Sequence, residues 1–116
     1  VSIHLVLSDR SRGLVDAADL ALMKPSALLI NTSRAAIVEQ SALIAALQQD
    51  KIAGAGLDVF DVEPLPADHP FRSLPNVLAT PHIGYVSDDN YRIYFSEAVE
   101  NIESFLAGNP VRVLSA

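Results

Sequence analysis

The chain has 116 residues, half of them apolar and 19% charged, enough for one small soluble domain with a single core. Eight basic against fourteen acidic residues give a formal charge of −6 with no basic stripe, which argues against a nucleic-acid module. With no cysteine the chain makes no disulfide, thiolate metal site or cysteine nucleophile, and no apolar run approaches the roughly 20 residues that span a bilayer, so a cytoplasmic protein is expected.

Short β-branched runs alternate with helical patterns, the signature of a parallel α/β sheet flanked by helices. Ile3–Leu7 is a continuous apolar run of strand length. Val1–Leu7 carries neither a basic leader nor a cleavage site, so it is not expected to be a signal peptide. It opens directly in an apolar run, as though cut from a longer chain. Asp16 can cap a short helix over Ala17–Met23 that stops near Pro25. Ala27–Ile30 is a second strand, closed by the polar Asn31-Thr32-Ser33. Ser41–Gln49 has apolar positions at 43, 44 and 47, a one-sided helical stripe. Ala53–Val59 is a third strand whose small residues suit close backbone approach.

Asp61 to Asn76 is a proline-punctuated loop, long enough to suspect a function. Val77–Ala79 is a fourth strand, ended by Pro81. The last helix is the clearest element. Ser87 caps it, Asp88 and Asp89 favour its positive end, and Tyr91, Tyr94, Phe95, Ala98, Ile102, Phe105 and Leu106 form one apolar face. Gly108-Asn109-Pro110 stops it, and Val111–Leu114 either pairs as an edge strand or trails.

Ligands of parallel sheets bind beyond the carboxyl ends of the strands. Arg34, Asp58, Glu63 and His82 each fall at or just after such an end, and so share one rim. The glycine-rich dinucleotide fingerprint is absent, since neither Gly54-Ala55-Gly56 nor Gly108 continues into it. Taken singly, each residue has an ordinary reading: a solvated arginine, a strand-end cap, a loop carboxylate, a turn histidine. His4 stands between a cofactor neighbour and a core histidine, and His69 has no evident role. No two histidines fall at metal-ligand spacing.

Three ordered stretches change these odds. Leu22-Met23-Lys24-Pro25-Ser26-Ala27-Leu28-Leu29-Ile30-Asn31-Thr32-Ser33-Arg34, then Ala53-Gly54-Ala55-Gly56-Leu57-Asp58-Val59-Phe60 with Glu63-Pro64, then Asn76-Val77-Leu78-Ala79-Thr80-Pro81-His82-Ile83-Gly84 resemble the D-isomer-specific 2-hydroxyacid dehydrogenase family. The likeness extends across nearly the whole chain. It departs at Ala35-Ala36, where the family often has Gly after the arginine, and at Val6, where many members carry Pro. The resemblance implies part of a Rossmann-like NAD-binding domain over residues 1–86, with the fingerprint upstream. Residues 87–116 would carry a long C-terminal helix back towards a substrate domain. It implies NAD as cofactor, with NADP open as well, and a small 2-keto or 2-hydroxy acid as substrate. Glu63 argues against the formate-oxidising members.

By the same resemblance Arg34, Glu63 and His82 are the catalytic group, and Thr32, Ser33, Arg34, Asp58, His82 and Gly84 line the cofactor cleft. The chemistry agrees. Reducing a 2-keto acid requires that its carboxylate be held, its carbonyl polarised and a proton delivered. A guanidinium grips a carboxylate with a bidentate fork, and an imidazole titrates near neutrality. Glu63 in contact with His82 would orient the ring and favour its imidazolium. Two rival readings remain at this stage: a dinucleotide-sensing, corepressor-like interaction protein on the same fold, and an inactive fragment. A half-sheet with an unpaired first strand is expected to associate, as a homodimer or with its other half.

Overall fold

The computed structural model describes residues 1–114. Four strands, β1 (Ser2–Ile3), β2 (Leu28–Asn31), β3 (Gly54–Leu57) and β4 (Val77–Ala79), lie in the order β1-β2-β3-β4, all parallel. Three helices accompany them: α1 (Ala17–Ala21), α2 (Gln40–Gln48) and α3 (Asp88–Leu106). Strand order follows chain order, so all the carboxyl ends face one way and the loops after β2, β3 and β4 emerge side by side.

The period of two along β2 and β3 decides which side chains enter the core. Leu29 and Asn31 on β2, and Ala55 and Leu57 on β3, are buried, whereas Leu28 is 54% exposed. Leu20 of α1 and Leu43 and Leu47 of α2 join them in one cluster with Ile3, Ile37 and Ile52. α1 forms because Asp16 accepts hydrogen bonds from the Ala18 and Asp19 amides while the Asp19 carboxylate reaches back to the Asp16 amide, a complete capping box. Gly54 permits the β3–β4 contact, since a Cβ there would lie 2.5 Å from the Asn76 carbonyl oxygen.

The structure corrects two expectations and decides a third. β1 ends at Ile3, not at Leu7, and Leu5 and Val6 are exposed. Its pairing to β2 runs only from Ser2–Ile30 to Ile3–Asn31, after which β2 itself ends, so His4–Leu7 has no ladder to join. The loop between β3 and β4 is not structureless. His69 Nδ1 accepts from the Phe71 amide at 3.2 Å, starting a 3-10 turn over Pro70–Arg72 that buries Phe71 in the core. Lastly, Val111–Leu114 forms no strand.

Contacts divide the chain into Val1–Gly84 and the stretch from Tyr85 onward. In the second unit, Ser87 Oγ accepts from the Asn90 amide at 3.3 Å to cap α3, with Asp88 and Asp89 in the first turn as expected. None of the helix is buried, and the apolar face from Tyr91 to Leu106 lies open to solvent. The Arg112 guanidinium folds back on the Glu100 carboxylate and the Asn101 side-chain oxygen. No helix among the described residues is long and apolar enough to cross a membrane.

Candidate active site

Asp58 is the first residue past β3 and is 4% exposed. A buried carboxylate needs donors, and the segment after β4 supplies them. The Thr80 hydroxyl donates to Oδ1 at 2.5 Å, the Ile83 amide to Oδ1 at 2.9 Å and the Gly84 amide to Oδ2 at 2.7 Å. Burial pushes this carboxyl up, but the three hydrogen bonds, aided by the His82 charge, outweigh it and hold the group below its ordinary range. Gly84 fits because a Cβ there would come within 2.9 Å of Asp58 Oδ2. Asp58 thereby folds the chain that carries His82.

His82 lies within that folded segment at φ +57°, in the left-handed region that a non-glycine residue seldom occupies. The conformation persists because its flanks are fixed: the His82 amide donates to the Thr80 carbonyl at 3.0 Å, and Ile83 and Gly84 are tied to Asp58. Its Nδ1 lies 2.7 Å from Glu63 Oε2. Glu63 Oε1 in turn accepts from the Phe60 amide at 2.9 Å. The bond to His82, followed by that from Phe60, sets the Glu63 carboxyl below its usual range. With Nδ1 engaged, Nε2 is the ring nitrogen left to face a reactant, and among the described residues it has no hydrogen-bond partner.

Arg34 stands three residues past β2, just before a 3-10 turn over Ala35–Ile37. It is exposed, its Nη1 donates to the Ser33 carbonyl at 2.6 Å, and among the described residues no carboxylate pairs with it. Ser33 Oγ donates to the Ile3 carbonyl at 2.8 Å, tying this turn to β1, while Thr32 is exposed. His4 is exposed as well, with Nε2 at 2.7 Å from Ser2 Oγ, which removes the core-histidine alternative.

The fold thus joins Glu63 to His82 directly and Asp58 to the His82 segment. Arg34, Thr32 and Ser33 sit at the same end of the sheet without a hydrogen bond to that group. A cavity of about 500 Å³ lies beside Glu63, walled by Phe60, Leu65, Arg72 and Pro81. Of the four rim residues Glu63 alone lines it, together with Thr80. Sequence reasoning missed Thr80, the Phe60 amide and Asn31. Asn31 alone left a signal, a strand-end Asn two residues before a serine amide, the pattern of an Asx turn.

A four-stranded parallel sheet with its polar residues on the carboxyl rim defines a dehydrogenase-like α/β domain, and comparison with known proteins narrows the class. Residues 1–84 match the NAD-binding domain of D-isomer-specific 2-hydroxyacid dehydrogenases, and the chain belongs to that family. Glyoxylate/hydroxypyruvate reductase B of Citrobacter koseri is 46% identical over 93% of this chain and 33% of its own length. The solved phosphoglycerate oxidoreductase of Vibrio cholerae superposes with a TM-score of 0.84 at 47% identity, over 92% of this chain and 34% of that one. The D-lactate dehydrogenase of Lactobacillus jensenii, solved with NAD+, gives 0.83 at 28% identity, over 99% and 38%. The chain spans about a third of the length of the curated relatives it matches.

Proposed function

We propose that the intact enzyme containing this chain interconverts a small D-2-hydroxy acid and its 2-keto acid with NAD or NADP, and that Arg34, Glu63 and His82 are its catalytic group. The observation that carries the reading is the 2.7 Å contact between Glu63 and His82 Nδ1 on the carboxyl rim of the sheet. It leaves Nε2 directed to proton transfer. In reduction His82 gives that proton to the carbonyl oxygen of the keto acid, and in oxidation it takes the proton back. Glu63 holds the ring in one orientation through that contact. Arg34, without a carboxylate partner of its own, holds the substrate carboxylate in its fork.

The rim suits a nicotinamide dinucleotide. A carboxylate oxygen accepts two donors, and among the described residues Asp58 Oδ2 takes only the Gly84 amide, so one acceptor position remains for a carboxamide. Asp58, Thr32 and Ser33 would hold the nicotinamide end, with Gly84 beside them. The bound cofactor supplies or takes up the hydride. Glyoxylate and hydroxypyruvate are the substrates to try first, given the reductases that this chain resembles. Association through the free edge of β1 and a return of residues 87–116 towards a substrate domain belong to the same reading. A monomer in sedimentation velocity would contradict the association.

The decisive experiment is Glu63→Gln in the intact enzyme, assayed in both directions across pH. Glutamine keeps the shape of the side chain and removes the charge beside Nδ1, so the acid limb of the pH–rate profile should move and turnover should fall, by up to about 100-fold. An unmoved profile would remove Glu63 from the mechanism.

A further inference from the structure

We propose that Asn31 is the positioning residue for Arg34, an inference that rests on the reading of Arg34 as the carboxylate anchor. Asn31 is 2% exposed, one of the most deeply buried side chains of the protein and one of three buried polar ones. Its backbone is fixed by the sheet, since Asn31 pairs with Leu57 and its carbonyl accepts from the Asp58 amide at 3.0 Å. From that rigid point the side chain spans the turn. Oδ1 accepts from the Ser33 amide at 3.0 Å, and Nδ2 donates to the Arg34 carbonyl at 2.9 Å.

Those two bonds set the peptide planes on either side of the guanidinium's own anchor. Arg34 Nη1 donates to the Ser33 carbonyl, and the orientation of that peptide follows from the Ser33 amide that Asn31 holds. The Arg34 carbonyl is shared between Asn31 Nδ2 and the Ile37 amide at 3.3 Å, which fixes where the extended backbone of Arg34 enters the 3-10 turn. The job requires one acceptor and one donor at the end of a two-carbon stem. Aspartate would aim lone pairs at the Arg34 carbonyl. Leucine would strand both the Ser33 amide and that carbonyl. A guanidinium placed by its backbone alone loses the orientation that a bidentate grip demands.

Asn31→Asp and Asn31→Ser in the intact enzyme test this at saturating cofactor. KM for glyoxylate should rise about tenfold, the loss expected for an unsatisfied buried donor or acceptor. In Asn31→Asp, which keeps an acceptor for the Ser33 amide, NADH affinity by fluorescence titration and the pH profile of turnover should not move. A fold staple without a positioning role would instead disturb KM, NADH affinity and the pH profile together in Asn31→Asp, and that result overturns the proposal. In an Arg34→Ala background the same replacements should change KM by less than about twofold, because no guanidinium remains to be placed. Full additivity also overturns it. Arg34→Ala leaving KM unchanged would sink the anchor reading itself and this inference with it, whereas an effect of Arg34→Ala without one of Asn31 sinks this inference alone. A measurement on the unaltered enzyme guards against variants that fail to fold. Adding the unreactive carboxylate oxamate to the cofactor-loaded protein should shift the Asn31 side-chain amide resonance, and an unmoved signal counts against the proposal.

Discussion

The two units of the chain use their apolar residues in opposite ways. In Val1–Gly84, apolar side chains from the strands, α1, α2 and the Pro70–Arg72 turn close on one another in a single core, and polar groups buried with them, Asp58 and Asn31, are each held by hydrogen bonds at both side-chain atoms. In α3 the apolar residues are just as regular, yet Phe105 is 71% exposed and Ile102 60%. Periodicity alone therefore shows that a helix has a face to bury, while burial itself depends on a surface supplied from elsewhere. The difference also separates where the chain stores stability from where it holds a surface in reserve.

Substitutions can break or sharpen that contrast. Leu29 is wholly buried at the centre of the first unit, so Leu29→Ala should cost about 2–5 kcal/mol in chemical denaturation of this chain. A cost below about 1 kcal/mol would mean that the core is not organised around β2. Asp58→Asn replaces one accepting oxygen by an NH2, leaves one of the Ile83 and Gly84 amides without its acceptor and should cost about 1–3 kcal/mol near neutral pH. Its pH dependence has a definite sign. The folded Asp58 and Glu63 carboxyls both titrate below their ordinary values of 3.8 and 4.5. Their stabilisation is therefore present above those values and lost as pH falls through the lower folded ones. Acid titration of unfolding should show a shallower decline in Asp58→Asn than in the parent chain, and parallel curves would contradict it. The smallest effect belongs to α3: Phe105→Ser should change the stability of this chain by no more than about 0.5 kcal/mol. A large loss there would show that the helix face is covered after all.

Much of the fold was legible because its signals are local. Asp16 before Ala17, Ser87 before two aspartates, and the apolar runs at Leu28–Ile30 and Val77–Ala79 each dictate structure within a few residues of themselves. β1 was overread because strand length belongs to a pair: Ile3–Leu7 has the composition for five residues, but β2 offers a partner for only one of them, Ile3. The order of Arg34, Glu63 and His82 pointed to the rim, and the Glu63–His82 contact fulfils the geometry anticipated for that pair. The work of Asp58 and Asn31 was hidden for a different reason. Their partners are mostly backbone amides and carbonyls, which carry no residue letter, and they converge only after the loops close. Asp58 read as a cofactor contact by resemblance, or else as a strand-end cap, and the structure shows it gripping Thr80, Ile83 and Gly84 from 22 to 26 residues away.

The left-handed backbone at His82 has a consequence for anyone selecting variants of this chain. A side chain at that conformation costs about 1–2 kcal/mol that glycine escapes, while the exposed pair with Glu63 returns only about 0–1 kcal/mol. On the proposed function, replacing His82 with glycine thus exchanges the proton donor for a more relaxed chain. A library ranked by heat resistance alone would enrich for molecules that have lost their chemistry, and only an assay of turnover, run alongside, would tell the improved chains from the disarmed ones.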